Sequence, residues 1–234
     1  MLSENSKDIG TACLSNPLIE REAWILKRCA GKRVLHLGCT DAPATAEKGD
    51  CGILLHQQLA RCTASLTGVD INGEGLDILR RKYGFDNLHL HDVEELETLR
   101  LPKPIDVIVA GEVLEHLNNV GRFFEGCKTL LNLNGASLLV TVPNSPSIKR
   151  IFAAIIQRSE SVHPDHTCYF SPSTLSEAAR RHGMRTVEMR MYMWRSSSLE
   201  SKIGVALCKT MIRLLRAPLL ADGVAAEFTT GNAN

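Results

Sequence analysis

Residues 34–41 read Val34-Leu35-His36-Leu37-Gly38-Cys39-Thr40-Asp41. A short apolar strand, Arg33–Gly38, runs directly into a glycine, where the missing Cβ lets the backbone turn sharply and come close to a neighbour. Outward from this stretch the same event recurs. Ser65–Asp70 (SLTGVD) is a strand ending on an acid, Asn87–His91 is followed by Asp92-Val93, and Ile105–Ala110 (IDVIVA) by Gly111-Glu112. A fifth strand, Ala136–Val142 (ASLLVTV), meets Pro143-Asn144. Helical segments over Gly52–Ala64, Gly75–Tyr83 and Leu114–Leu131 separate the strands. Strands apolar on both faces, alternating with helices, predict an α/β fold: a doubly wound, mostly parallel sheet with helices on both faces.

The flanks fit one domain over residues 16–234 behind a loose polar tail, 1–15. Asn16-Pro17 is positioned to open a helix that Gly31 closes. After Pro143, the residues Ile148, Ile151, Phe152, Ile155 and Ile156 fall at helical spacing. Ser171-Pro172 starts another helix, ended by Gly183, followed by a strand near Arg185–Met191, an amphipathic stretch Leu199–Arg216 and a last strand candidate, Gly223–Phe228. Elements near 145–172 and 199–216 are expected to form a lid. The apolar side of 199–216 suits core packing, and its interspersed Lys202, Lys209, Arg213 and Arg216 also suit peripheral contact with an anionic membrane.

The chain has 234 residues and a net charge of +1, which gives no reason to expect a nucleic-acid partner. Its charge is uneven, with twelve Lys/Arg against five Asp/Glu between Lys149 and Arg216, which would suit an anionic acceptor. Eight cysteines form no CxxC pair, and the N-terminus has no secretory pattern. Reduced thiols and a cytoplasmic location are the expectation.

In an open α/β sheet, ligands bind beyond the carboxyl ends of the strands. A carboxylate at Asp70 can accept both hydroxyls of a ribose, and Asp92 with the Val93 backbone can meet an adenine edge. Each element alone is ordinary turn chemistry; their order and spacing together are more specific. A nicotinamide-dinucleotide site fits poorly, since G-x-G-x-x-G is missing and Asp70 lies thirty-two residues past Gly38 instead of about twenty.

Taken together, VLHLGC, GVDIN, HDVEEL, DVIVAGEVLEHL and TVPN resemble the successive motifs of the class I S-adenosylmethionine-dependent methyltransferases over roughly residues 17–230. The resemblance implies a Rossmann-like sheet with a C-terminal antiparallel strand, for which Gly223–Phe228 is the candidate. It also implies S-adenosyl-L-methionine as cofactor, with Gly38, Cys39 and Asp41 at its methionine part, Asp70 and Ile71 at the ribose, Asp92 and Val93 at the adenine, and Gly111 and Glu112 nearby. One departure stands out. The family's Gly-x-Gly is reduced here to Gly38, with Thr40 at the second position and a longer loop reaching about Asp50.

Methyl transfer is an in-line displacement, and a hydroxyl acceptor must also lose its proton as the new bond forms. Glu112, Glu115 and His116 would share one face of a helix over Leu114–Leu131. They resemble the E-x-x-E-H of ubiquinone-pathway O-methyltransferases, which implies a divalent metal such as Mg²⁺ on Glu112, Glu115 and His116. His116 as a base and a plain helix start are the other readings. His163-Pro164-Asp165-His166, ahead of Tyr169-Phe170-Ser171-Pro172, resembles a histidine loop found before an F-S-P-x-x-L helix in sugar and small-molecule methyltransferases. His163 and His166 are thus candidate catalytic residues beside His116, and a helix-start turn is the alternative. Asn144 suits either an acceptor contact or a turn, and His36 a buried core position.

The expected activity is O-methylation of a hydroxyl on a small molecule: a sugar, a glycan precursor or a secondary metabolite. Small-molecule N- or C-methylation and a non-catalytic binding protein on the same fold remain as alternatives.

Overall fold

A computed structural model describes residues 18–101, 104–194 and 199–231. The elements along the chain are α1 (Arg21–Cys29), β1 (Arg33–Leu37), α2 (Thr45–Asp50), α3 (Leu55–Ala60), β2 (Ser65–Asp70), α4 (Gly73–Tyr83) and β3 (Leu88–Leu90). There follow β4 (Val107–Gly111), α5 (Val120–Asn134), β5 (Ser137–Pro143), α6 (Ile148–Phe152), α7 (Pro172–Arg181), β6 (Met184–Tyr192), α8 (Leu199–Leu214) and β7 (Gly223–Thr230).

The strands form one seven-stranded sheet in the order β3-β2-β1-β4-β5-β7-β6. β1 pairs in parallel with β2 and β4, and β4 with β5, whereas β7 runs antiparallel to both β5 and β6. The Rossmann-like sheet with a C-terminal antiparallel strand is therefore the architecture present. Strand order reverses beside β1, so the crevice at the carboxyl ends of β1 and β4 is the ligand position this topology favours.

Period-two alternation explains the doubly apolar strands. Ile108 and Ala110 of β4 join one core layer with Phe123, Phe124 and Leu131 of α5, while Val107 and Val109 join the other with Trp24 and Ile25 of α1. Burying Phe123 or Phe124 this fully stabilises the fold by roughly 1.5–3 kcal/mol each.

Several boundaries move from the expected ones. Asn16 and Pro17 lie outside the described residues, but Ile19 forms a β-bridge with Tyr192, so the first helix starts only at Arg21. The segment 42–64 holds two short helices, α2 and α3, where a loop to Asp50 and one helix were expected. The helix expected over Leu114–Leu131 is divided. Residues Leu114–His116 make a single 3₁₀ turn, and α5 begins afresh at Val120, capped by the Asn119 side chain accepting from Arg122 N. In α8, Ile212 is buried, but Leu207, Met211 and Leu214 are exposed, as is Leu215 just past its end; the side chains of Leu199, Lys202 and Ile203 lie outside the described residues. No helix among the described residues is long and apolar enough to cross a membrane.

Candidate active site

Gly38 leaves β1 with φ 69°, and a Cβ there would lie 2.6 Å from Val113 Cγ2. The glycine thus serves the close approach of the turn after β4, in a backbone conformation that L-residues resist. Cys39, by contrast, turns its side chain into the core against Leu54, Leu76, Leu79 and Leu88. Burial, then Asp70, pushes its thiol well above the ordinary cysteine value. Any part Cys39 has in ligand binding is left to its backbone. Asp41 stands at φ 56° on the outer loop with its carboxylate paired to Lys48.

Asp70, 8% exposed, ends β2. Its Oδ2 accepts from both Thr40 N and Thr40 Oγ1 at 2.9 Å, and its Oδ1 accepts from Asn72 N at 2.9 Å. Thr40 is itself packed over Gly75, where a Cβ would lie 2.6 Å from its own. The threonine in place of the expected glycine therefore clamps the first loop to the second strand end. Next to Asp70, Ile71 is 71% exposed, an apolar face open at the strand tips. After β3, the Asp92 carboxylate accepts from Glu94 N at 2.8 Å, while the Val93 side chain belongs to the main core.

At the end of β4, Gly111 leaves room for a guanidinium: a Cβ there would lie 2.6 Å from Arg21 Nη2. Glu112 adopts φ 59°, and its Oε1 accepts from the Tyr192 hydroxyl at 2.6 Å with Arg21 Nε at 3.6 Å. Arg21 Nε donates to Thr141 Oγ1 at 2.9 Å. Burial and then Glu112 drive the Tyr192 phenol well above its ordinary value, so it stays a donor.

The left-handed Glu112 and the 3₁₀ turn overturn the expectation that Glu112, Glu115 and His116 share a helix face. They also place His116 ahead of α5 instead of in its first turn. What converges is Glu115, His116 and His166, with one ligand atom of each within 4.8 Å of the others. Glu115 is 1% exposed, and neither of its carboxylate oxygens has a hydrogen-bond partner. Burial, then the neighbouring Glu112 charge, raises its carboxyl far above the ordinary range. His166 Nδ1 is likewise buried without a partner. Burial, then His116 and His163, lowers the His166 imidazole to about 4. Ring centroids lie 4.7 Å apart for His116–His166, 6.0 Å for His116–His163 and 5.4 Å for His163–His166. The histidine loop is stitched across the strand ends, since Thr167 N donates to Glu115 O at 2.8 Å and Ser145 N to Phe170 O at 2.7 Å.

Asn144 is buried, and its Oδ1 has no hydrogen-bond partner. Its Nδ2 donates to Leu219 O at 2.7 Å and Ala221 O at 2.8 Å, tying β5 to the turn before β7. His36 is buried in β1, its Nδ1 3.1 Å from Nδ1 of His56.

The sequence profile of a family described as a methyltransferase domain matches residues 17–189. The chain belongs to that family. More fully, it is a class I S-adenosylmethionine-dependent methyltransferase. The methyltransferase is 26% identical over 186 residues to a ubiquinone biosynthesis O-methyltransferase of Cupriavidus pinatubonensis, covering 75% of this chain and 69% of that one. A protein of the same description from Bordetella bronchiseptica is 28% identical over 190 residues, covering 75% and 71%. Among solved structures, an N-methyltransferase from Bradyrhizobium japonicum in complex with S-adenosylhomocysteine matches with TM-score 0.50 at 16% identity, covering 98% of this chain and 100% of that one. A methyltransferase from Archaeoglobus fulgidus matches with TM-score 0.50 at 18% identity, covering 88% and 93%.

Sequence reasoning missed Arg21, Thr141 and Tyr192 of the methyltransferase site. They come from α1, β5 and the end of β6, and only the need of a half-buried Glu112 for a counter-charge would have prompted a search for them.

Proposed function

We propose that the protein methylates a hydroxyl group of a small acceptor, with S-adenosylmethionine held at the tips of β1, β2 and β3 and the acceptor placed against Glu115, His116 and His166. The observation that carries the hydroxyl reading is the buried Glu115 carboxyl and His166 Nδ1, both without partners. Buried polar groups are almost always satisfied, and unsatisfied ones concentrated beside a strand-end crevice point to a reacting partner.

The residues present fit the cofactor. Asp70 has three of its roughly four acceptor directions filled by Thr40 and Asn72; one is free for a ribose hydroxyl, and rotation of the Thr40 hydroxyl releases a second. Ile71 offers its exposed side chain to an adenine face, beside Asp92 and the Val93 backbone. The bound cofactor supplies an activated methyl group on a sulfonium. The protein must align acceptor and donor and keep competing nucleophiles out. Gly38, Gly111 and Glu112 shape the floor of that space, with Arg21 and Tyr192 holding Glu112 in place. His116 and His166 stand where a proton leaving the acceptor oxygen can be taken up, with His163 at the rim.

Glu115, His116 and His166 also fit a divalent cation, since their ligand atoms converge and two of the three groups lack partners. Glu112, engaged by Tyr192 and Arg21, is not part of this set. One carboxylate with two imidazoles suits a transition metal better than Mg²⁺, which prefers oxygen ligands. When bound, such an ion acidifies a coordinated hydroxyl.

The relatives' description as O-methyltransferases supports the hydroxyl reading, and their part in ubiquinone biosynthesis favours a ring hydroxyl over the sugar or glycan precursor expected from the motifs alone. The test is S-adenosylhomocysteine release with phenolic, glycosyl and amine acceptors, with and without chelator. Turnover confined to hydroxyl acceptors and lost in the H116A/H166A double variant is expected. Turnover confined to amines and undiminished in that variant would sink the proposal.

A further inference from the structure

The connection between β5 and α7 holds a second cluster beside the histidines. Beyond Phe152, α6 widens into a π-turn, Ala153–Gln157, and the chain leaves it through Arg158 at φ 51°. π-turns are rare and recur at functional sites, and a left-handed non-glycine residue must be held against its own backbone preference by its surroundings. This widened end borders a cavity of about 510 Å³, walled by Ser145, Arg150, Arg158, Ser159, Ser161 and Tyr169. The volume lies within the range of small-ligand sites, about 300–1,000 Å³.

The wall is positive and unsatisfied. Glu160 lines the cavity too and accepts from the Tyr169 hydroxyl, so two guanidiniums stand against one carboxylate and the wall stays net positive. The Arg150 guanidinium lies 4.7 Å from the centroid of the Tyr169 ring, a cation–π contact that holds it at the cavity wall. Its Nη1 is buried with no hydrogen-bond partner. Among the described residues, neither Arg150 nor Arg158 has a carboxylate within 4.0 Å. A buried guanidinium N–H without an acceptor is costly to retain, and the side chain that carries it lines this cavity.

The cavity adjoins the transfer site. Ser145 directly follows the end of β5 and is bonded to Phe170, and Tyr169 follows His166 by three residues.

We propose that this cavity is the subsite for an oxyanion group, a carboxylate or a phosphate, carried by the acceptor. Arg150 supplies the planar, two-pronged contact, Arg158 a second cation, and Ser145, Ser159 and Ser161 neutral hydroxyls. The inference rests on the methyl-transfer reading and narrows its acceptor to an anionic one whose charged group lies on the α6 side of the reacting hydroxyl.

The test is calorimetric titration of the protein, saturated with S-adenosylhomocysteine, with benzoate, phenyl phosphate and neutral phenol. At least one anion should bind in preference to phenol, and the better of the two identifies the group. R150M and R158M should each weaken that binding about tenfold, R150K should retain part of it, and S-adenosylhomocysteine affinity should stay unchanged in all three. If R150M does not fold, R158M and R150K carry the comparison. A protein that binds S-adenosylhomocysteine but takes phenol as well as the anions, takes no anion, or keeps full anion affinity in the folded variants overturns the subsite alone. Failure to bind S-adenosylhomocysteine overturns both the subsite and the methyl-transfer reading beneath it.

Discussion

Replacing His56 by glutamine should change how the fold responds to acid. His36 and His56 are both buried, with stacked rings and Nδ1 atoms 3.1 Å apart, so one nitrogen donates and the other accepts. Burial lowers His56 from the ordinary 6.5 to about 4; burial, then His56 and Arg21, lowers His36 well below its ordinary value. The unfolded chain therefore takes up these protons first. Stability is fully present above pH 6.5 and drains away as the pH falls towards 4. At about 1.4 kcal/mol per pH unit, His56 alone accounts for about 3 kcal/mol over that interval. Glu115 acts with the opposite sign, since its raised carboxyl favours the fold at low pH, but it does so in wild type and variant alike. Because His56 also helps to lower His36, the difference between the two proteins reports the pair and not His56 alone. Urea unfolding followed by tryptophan fluorescence, at pH values from 7 to 4, should show H56Q gaining about 3 kcal/mol on wild type as the pH drops. A difference flat to within about 0.5 kcal/mol would refute the account of a neutral buried pair.

Other substitutions bear on the site. Gly38→Ala forces φ 69° on a residue whose Cβ meets Val113, and should cost about 1–3 kcal/mol by thermal unfolding while weakening S-adenosylhomocysteine. Asp70→Ala removes both the ribose acceptor and the anchor of Thr40, so calorimetry should show at least about tenfold weaker S-adenosylhomocysteine binding; unchanged affinity would move the cofactor elsewhere. Tyr192→Phe deletes a donor to half-buried Glu112 and should cost about 1.5–3 kcal/mol in urea unfolding, a loss that a merely space-filling phenol would not produce.

The parallel sheet was legible because its strands are short and largely apolar, and four of the five parallel ones run into Gly or Asp. Those residues are what a strand end near a ligand requires. The helix misread over Leu114–Leu131 shows where periodicity fails. Val113, Leu114 and Leu117 fit a helical stripe, but Glu112 leaves β4 left-handed and Asn119 restarts the helix as its cap. The Asn119 cap was visible in the sequence; the backbone of Glu112 was not. Arg21 and Tyr192 reach Thr141 and Glu112 across 120 and 80 residues of chain, contacts no local pattern encodes. The histidine loop was easier, because the Ser171–Thr174 capping box fixes where α7 starts and hence where the loop must end.

β7 is the last strand made and yet sits between β5 and β6. Until it emerges from the ribosome, two sheet edges built much earlier face a vacant slot, each with a row of unpaired amides and carbonyls. Completion of the sheet thus waits on the synthesis of β7, and a nascent chain stalled before Gly223 would present an open edge suited to capture by a chaperone or by another copy's β7.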